Sequence, residues 1–226
     1  MILELAFNPK KMYNYYPFLN KLLLGAEFTT ALISLYYLPK IKYTYWKWFT
    51  FYLCFVFIQE FLWKDTKFIF NIKKQEYYAF LGIPFQYLFL YWLYGLKSLK
   101  SKKIFFISSL IYLTTFIPFE IFDQKIRILY PVNLTIGSII LIVLVVLEFL
   151  KQIRNDNILK FKENKMFYIN LGVILFYVGT YPFSAFYHEL LKHVAIWNAY
   201  YFYFVTSNIF MYLLFAASFI WGKHQS

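Results

Sequence analysis

Seven apolar segments, each about long enough to cross a membrane, occupy most of this 226-residue sequence. A helix needs roughly 20 apolar residues to cross the hydrocarbon core of a bilayer, where a helix satisfies its own backbone hydrogen bonds. The sequence therefore predicts an all-α, polytopic membrane protein with seven transmembrane helices in one bundle. The predicted spans cover about 18–38, 46–64, 77–96, 104–122, 130–150, 166–187 and 197–221.

The composition argues against a soluble protein. Apolar residues make up 61% of the chain and the mean hydropathy is +0.52, whereas soluble domains contain about 45–50% apolar residues. The net charge of +12 would suggest a nucleic-acid partner for a soluble chain, but the basic residues lie between apolar segments. We therefore expect the lipid bilayer as the partner, no nucleic acid, and a single domain over residues 1–226.

The basic residues of the connections predict the orientation. With the N-terminus outside, the segments assigned to the cytoplasm carry 13 basic and two acidic residues, against ten and five on the opposite side. Cytoplasmic loops of membrane proteins carry an excess of Lys and Arg, so we predict an N-out, C-in topology. The start MILELAFNPKKMYNYY does not resemble a cleavable signal peptide. The richness in Lys, Ile, Asn, Phe and Tyr is typical of an AT-rich bacterial genome, which predicts the bacterial inner membrane.

Polar residues gather in the outer half of the predicted bundle. Glu27 lies within the apolar run KLLLGAEFTTALISL, where a charge facing hydrocarbon costs roughly 2.5–3.5 kcal/mol. Polar residues also share one face on helices 1, 6 and 7 at 3.6 residues per turn. This pattern predicts an outward-facing polar cavity for an unknown small ligand. The predicted ligand-binding residues are Glu27, Gln59, Glu60, Glu120, Tyr177, Tyr181, His188 and Asn198.

Several polar residues also have a purely structural explanation. Hydroxyl and amide groups in membrane helices often only bond to a neighbouring helix, at about 0.6 kcal/mol a pair. Glu148, at the cytoplasmic end of helix 5, is expected to pair with Lys151 or Arg154. The residues for which we favour the structural role are Thr30, Ser34, Asn170 and Asn208.

Motifs for metal, cofactor or nucleophilic chemistry are missing from the sequence. HELLKH (188–193) spaces its two histidines five residues apart, unlike the four-residue spacing of zinc proteases. Cys54 is the single cysteine, and helix 7 has no lysine for a retinal Schiff base. We therefore expect no metal, no cofactor and no enzymatic activity.

The stretches GSIILIVLVVLEFL and MFYINLGVILFYVGTYPF, with FIQEF late in helix 2 and SNIFMYLLFAASFIW near the end, carry a resemblance across the chain. The sequence resembles a family of uncharacterised seven-helix membrane proteins of flavobacteria and their relatives. The resemblance implies the seven-helix fold and no particular activity.

The sequence favours a sensor or receptor-like module, whose signal is read at the basic cytoplasmic face by a separate partner such as a kinase. A small transporter or proton-coupled carrier is the main alternative, with the same carboxylates as protonation sites. A lipid enzyme using Glu27, Glu120 and His188 as acid–base groups, or a structural subunit of a membrane complex, are further alternatives.

The topology is testable with reporter fusions. A fluorescent protein that folds only in the cytoplasm should be active after Ser226, and alkaline phosphatase inserted within 64–76 should be active outside, because the positively charged loops stay in the cytoplasm. The reverse pattern would overturn the predicted depth of every cavity residue.

Overall fold

The computed structural model of the protein describes residues 9–64, 66, 68–69, 72–117, 126–154, 161–180 and 192–223. Seven helical segments are present within these residues, together with a two-stranded hairpin. Helix α1 covers Pro9–Ile41 and α2 covers Trp46–Trp63. The hairpin pairs β1 (Phe68–Ile69) with β2 (Ile72–Lys73) in antiparallel register, with Phe68 opposite Lys73.

The remaining helices include wider, π-helical turns. Helix α3 covers 74–98 as α-helical Lys74–Tyr77, π-helical Tyr78–Gly82, α-helical Ile83–Tyr91 and π-helical Trp92–Ser98. Helix α4 covers Lys102–Thr114, and α5 covers Ile126–Arg154. Helix α6 starts as Lys165–Val173 and continues as the π-helical Ile174–Val178, and α7 covers Val194–Trp221.

The protein is an all-α membrane protein. Within the described residues, four helices are long and apolar enough to cross a bilayer, and α6 contributes a shorter apolar helix, Lys165–Val178. The predicted spans 104–122 and 166–187 run into 118–125 and 181–191, which lie outside the described residues. The four long apolar helices are Tyr15–Ile41, Tyr78–Ser98, Val132–Arg154 and Ile196–Trp221.

The chain divides into two compact units, and the division falls within α2. Unit 1 comprises Met1–Phe57 and Lys162–Ser226, and unit 2 comprises Ile58–Phe161. Unit 1 therefore contains α1, most of α2, α6 and α7. Unit 2 contains the last turn and a half of α2 together with the hairpin, α3, α4 and α5.

In unit 1, α1 and α7 run in the same direction along a shared seam. The Tyr16 hydroxyl donates to Asn198 near the start of α7, and 14 residues further along α1 the Thr30 hydroxyl donates to the Tyr212 carbonyl at 2.9 Å. The two contacts are 14 residues apart on both helices, from 16 to 30 on α1 and from 198 to 212 on α7, so the helices are parallel.

Helices α2 and α6 run opposite to α7. Phe49 of α2 packs against Phe215 and Phe219, with ring centroids 5.3 and 5.7 Å apart. On α6, Gly172 allows a close approach, because a Cβ there would lie 3.2 Å from the Met211 carbonyl oxygen. Phe176, further along α6, meets Phe204, which is earlier in α7. Aromatic contacts and one small residue thus set this packing.

The core of unit 2 is built from tyrosines. The Tyr87 hydroxyl lies 2.8 Å from the Ser138 hydroxyl, and the Tyr91 hydroxyl donates to the Gly137 carbonyl at 2.9 Å. Both rings also lie within 6 Å of the Tyr112 ring of α4. All three tyrosines are buried, so their rings fill the core, and the positions of Tyr87 and Tyr91 along α3 bring their hydroxyl groups to α5.

A charged side chain joins α5 to the end of α3. Lys151 donates to the Ser98 carbonyl at 2.6 Å and lies 3.6 Å from the buried carboxylate of Glu148. Gln152 donates to the same carboxylate at 3.2 Å. The predicted pairing of Glu148 with Lys151 is confirmed. A lysine that bonds the last carbonyls of a helix also interacts favourably with its dipole.

The close approach of α3 and α5 is testable at Gly137. A Cβ at this position would lie 2.6 Å from the Tyr87 ring, so Gly137→Ala should lower the free energy of unfolding by about 1–3 kcal/mol. The matched control is Gly25→Ala, because no heavy atom lies within 4 Å of a Cβ built there. This control should be neutral or raise the free energy of unfolding by up to about 1 kcal/mol, since alanine is the better helix former. Thermal unfolding of both variants in detergent micelles measures the difference, and equal midpoints would contradict the packing.

Candidate functional site

Glu27 lies inside unit 1, with only 4% of its surface exposed. It belongs to the polar face of α1 that the sequence predicted, and Thr30 and Ser34 on the same face are also buried. The neighbouring Phe28 and Leu32 are exposed on the outer surface of the helix. The prediction that the Glu27 side chain faces the interior is confirmed, because the apolar residues of α1 take the outer positions.

Two buried tyrosines accompany Glu27. Tyr52 of α2 lies within electrostatic range of both the Glu27 carboxylate and the Tyr177 hydroxyl of α6. The exposed fractions of the two tyrosine side chains are 3% and 6%. Three helices therefore contribute a carboxylate and two phenols to one enclosed group, which we call the Glu27 cluster. Tyr177 was among the predicted site residues, whereas Tyr52 was not.

Tyr177 lies on the π-helical turn of α6, Ile174–Val178. The Leu175 carbonyl in this turn accepts a hydrogen bond from the Tyr203 hydroxyl of α7 at 2.8 Å. Gly179 follows the turn, and any side chain there would collide with Tyr203. Single π-helical turns inside α-helices occur frequently at functional sites, and this one carries a member of the Glu27 cluster.

Asn170 of α6 is buried without a hydrogen-bond partner among the described residues. It is fully enclosed, and neither its amide oxygen nor its amide nitrogen is bonded. Thr30 of α1 is equally enclosed, but its hydroxyl lies 2.7 and 2.9 Å from the carbonyl oxygens of Ala26 and Tyr212. The structural role expected for Thr30 is confirmed. Asn170 instead presents a buried amide that bonds to nothing described, and such a group costs stability.

Asn198 belongs to a different group at the start of α7. Its amide oxygen accepts from Tyr16, the Tyr201 hydroxyl donates to Asn20 at 3.1 Å, and the two tyrosine rings lie 4.4 Å apart. Tyr16 precedes Glu27 by eleven residues, which is about 16 Å along a helix. Asn198 thus serves the α1–α7 seam rather than the Glu27 cluster.

Gln59 and Glu60 lie in unit 2, near the end of α2. The Tyr77 hydroxyl donates to the Gln59 amide oxygen at 3.2 Å, and the Tyr78 hydroxyl donates to the Glu60 carboxylate at 2.7 Å. The amide nitrogen of Gln59 is buried and unbonded among the described residues. These contacts hold α2 against the first π-helical turn of α3, Tyr78–Gly82.

Three predicted site residues, Glu120, Tyr181 and His188, lie outside the described residues. Their predicted roles stay predictions. In the part of the chain that the structure does describe, no group of three or more His, Cys, Asp or Glu side chains is placed to hold a metal ion.

A buried lysine that the sequence analysis did not select lies at the start of α6. Lys165 is 3% exposed, and its ammonium lies 5.3 Å from the Trp46 ring centroid and 5.1 Å from that of Phe219. Burial lowers the pKa of Lys165, which precedes the predicted span 166–187, to about 8. Facing aromatic rings stabilise such a cation, so Lys165 fastens α6 to the ends of α2 and α7.

The chemistry of the Glu27 cluster favours a cation or a hydrogen-bond donor. A carboxylate accepts hydrogen bonds, and a phenol presents an accepting oxygen together with a ring face of negative electrostatic potential. An anion is repelled by the Glu27 carboxylate while that group is ionised. Intramembrane carboxylates mark ligand, ion and proton sites in membrane proteins.

Searches of protein-family models, curated proteins and solved structures give no match to this chain.

Asn170 gives a direct test of the unbonded amide. Asn170→Leu should raise the free energy of unfolding by about 1–3 kcal/mol, because it removes a buried polar group that has no partner among the described residues. Thr30→Val is the contrast, and it should lower the free energy by about 0.5–1.5 kcal/mol because it breaks bonds to two carbonyls. Thermal unfolding in detergent measures both, and a loss of stability in Asn170→Leu would contradict the expectation.

Proposed function

We propose that this chain is a receptor-like membrane sensor that binds a small polar ligand in the Glu27 cluster of unit 1. In this proposal the chain crosses the bacterial inner membrane seven times, with its N-terminus outside and its C-terminus in the cytoplasm. The ligand reaches the cluster from the outer side, because Glu27 lies in the outer half of the first predicted span, 18–38.

The observation that carries the proposal is the enclosed group of Glu27, Tyr52 and Tyr177 from three helices. Side chains needed only for packing would be apolar there, because a buried ionisable group is expensive in a membrane. Asn170, on the same helix as Tyr177, adds an amide without a partner among the described residues. The ligand we propose is a small cation or amine, since the cluster presents acceptors and ring faces.

The geometry of α6 supports a role in signalling. Tyr177 lies on a π-helical turn. Such a turn becomes α-helical when its i→i+5 hydrogen bonds are replaced by i→i+4 bonds and the neighbouring residues shift along the helix. A ligand that binds one of these two arrangements better shifts their populations. The shift passes along α6 to Lys165 at its other end, where α6 meets Trp46 and Phe219. A separate partner such as a kinase then reads the basic face.

A carrier is the second candidate, and Glu27 favours it as well. Buried carboxylates serve as proton sites in transporters, and a proton or cation that binds Glu27 from outside would also have to be released inside. Sensor and carrier differ in one measurable respect, because a sensor binds its ligand without moving it across the membrane.

The test uses methylammonium as the probe and Glu27→Gln as the variant. Methylammonium should raise the unfolding temperature of the wild-type protein in detergent in a saturable way, since a ligand that binds only the folded state stabilises it. Glu27→Gln should abolish this shift, because it removes the negative charge. In sealed vesicles, labelled methylammonium should bind without progressive uptake.

The matched control is Glu163→Gln, the same substitution at an exposed ion pair with Lys223 in unit 1. It should retain the wild-type response, because exposed pairs contribute little. Sustained, saturable uptake of methylammonium that depends on Glu27 would contradict the sensor proposal and support the carrier. A shift that persists unchanged in Glu27→Gln would remove the cluster as the ligand site.

A further inference from the structure

The turn between α1 and α2 presents lysines and aromatic rings in alternation. The residues between the two helices, 42–45, and the helix ends on either side form the segment YYLPKIKYTYWKW (36–48), which we call the α1–α2 turn. This segment carries three lysines and six aromatic residues. Tyr36, Tyr43 and Trp48 are exposed, by 75%, 89% and 51%. These rings are not part of the core of unit 1, so their surface is available to whatever surrounds this end of the protein.

Each lysine of this turn lies over a neighbouring ring. The ammonium of Lys40 is 5.1 Å from the centroid of the Tyr37 ring. Lys42 lies 4.8 Å from the Tyr43 ring and Lys47 lies 5.6 Å from the Trp48 ring. The rings hold the three positive charges near the backbone of the turn instead of letting them extend freely into water.

The turn itself is short and bonded. The backbone amide and the hydroxyl of Thr44 both donate to the Ile41 carbonyl at 2.9 Å. The Trp48 amide donates to the Tyr45 carbonyl at 3.1 Å. The lysines are therefore presented by a fixed turn, which lowers the entropy lost when they bind an anion.

Negative charge is scarce around these lysines. The sequence contains no acidic residue between Glu27 and Glu60. At the same end of unit 1, where α6 begins and α7 finishes, the described acidic residue is Glu163, which is paired with Lys223. The described lysines of this end are Lys40, Lys42, Lys47, Lys162, Lys165 and Lys223.

We propose that the α1–α2 turn is a binding site for the headgroups of anionic phospholipids, with Lys40, Lys42 and Lys47 as the residues that contact the phosphates. The exposed rings of Tyr36, Tyr43 and Trp48 lie at headgroup depth. Lipid bound here surrounds the end of unit 1 at which α6 begins and α7 ends. This site is independent of the Glu27 cluster and of the sensor role.

The rings favour a lipid surface over an acidic soluble protein. Exposed Tyr and Trp side chains concentrate at membrane interfaces, where one end of the ring is apolar and the other is hydrated. Lys40 lies in the last turn of α1, Lys42 follows its end at Ile41, and Lys47 lies in the first turn of α2. The three lysines therefore lie at the ends of two helices, where headgroup phosphates lie. Basic segments next to a transmembrane helix attract anionic lipid in this way.

The experiment measures lipid selectivity in reconstituted vesicles of phosphatidylcholine. Trace spin-labelled phosphatidylglycerol and phosphatidylcholine report the fraction of each lipid that is immobilised by the protein. The wild-type protein should prefer phosphatidylglycerol at low salt and lose most of that preference at 1 M salt, where charges are screened within about 3 Å. The variant K40Q/K42Q/K47Q should bind phosphatidylglycerol more weakly by about fivefold for each lysine that contacts a phosphate.

The matched control removes the same charge at the other end of the helices. K21Q/K64Q/K192Q changes one lysine in α1, one directly after α2 and one shortly before α7. This variant should keep the wild-type selectivity. Equal thermal unfolding of both variants shows that the fold is retained, as expected for five exposed lysines and the half-buried Lys47. Selectivity unchanged in K40Q/K42Q/K47Q would overturn the proposal. A third outcome is that the wild-type protein binds soluble polyglutamate, K40Q/K42Q/K47Q does not, and both have the same lipid selectivity. That result would overturn the lipid proposal and indicate an acidic protein as the partner of the turn.

Discussion

Side chains that donate to backbone carbonyls of a neighbouring helix stabilise both units. A helical carbonyl already accepts one backbone bond and has a second lone pair, so such a bond joins two helices without breaking either. In apolar surroundings, where water does not compete, such bonds also orient the helices. The pairs that show it are Thr30 with Tyr212, Tyr203 with Leu175, Tyr91 with Gly137, and Lys151 with Ser98.

This constraint explains the use of tyrosine in the interior. The chain contains 23 Tyr beside 29 Phe, and a tyrosine adds one donor to the packing surface of a phenylalanine. In unit 2 the rings of Tyr87 and Tyr91 pack against Tyr112, while their hydroxyls bond to α5. Gly137 makes this possible, since the Tyr87 ring occupies the space of a missing Cβ.

The Glu27 cluster departs from this scheme. Its carboxylate cannot serve as a donor to a carbonyl while it is ionised, and Asn170 on α6 has both amide atoms unbonded among the described residues. A buried ionisable group and a buried amide that is unbonded among the described residues both cost stability. Such a cost is typical of functional sites, and it is the physical basis of the sensor proposed here.

The sequence alone determined the class of protein and the inward faces of its helices. The length of the apolar segments predicted the helices, and the spacing of Glu27, Thr30 and Ser34 predicted the buried face of α1, because a charged side chain is expensive in hydrocarbon. The pairing of Glu148 with Lys151 was also predicted from the sequence, since residues three apart are neighbours on a helix.

Only the tertiary structure decided which polar residues meet. Tyr52 joined Glu27 and Tyr177, whereas Asn198 went to the α1–α7 seam and Gln59 to the turn of α3. Periodicity assigns a residue to a face of its own helix, but the register between helices depends on side-chain volumes such as those of Gly172 and Phe49. The π-helical turns also depend on the packing between helices, because that packing compensates for the irregular hydrogen bonding that a single helix would avoid.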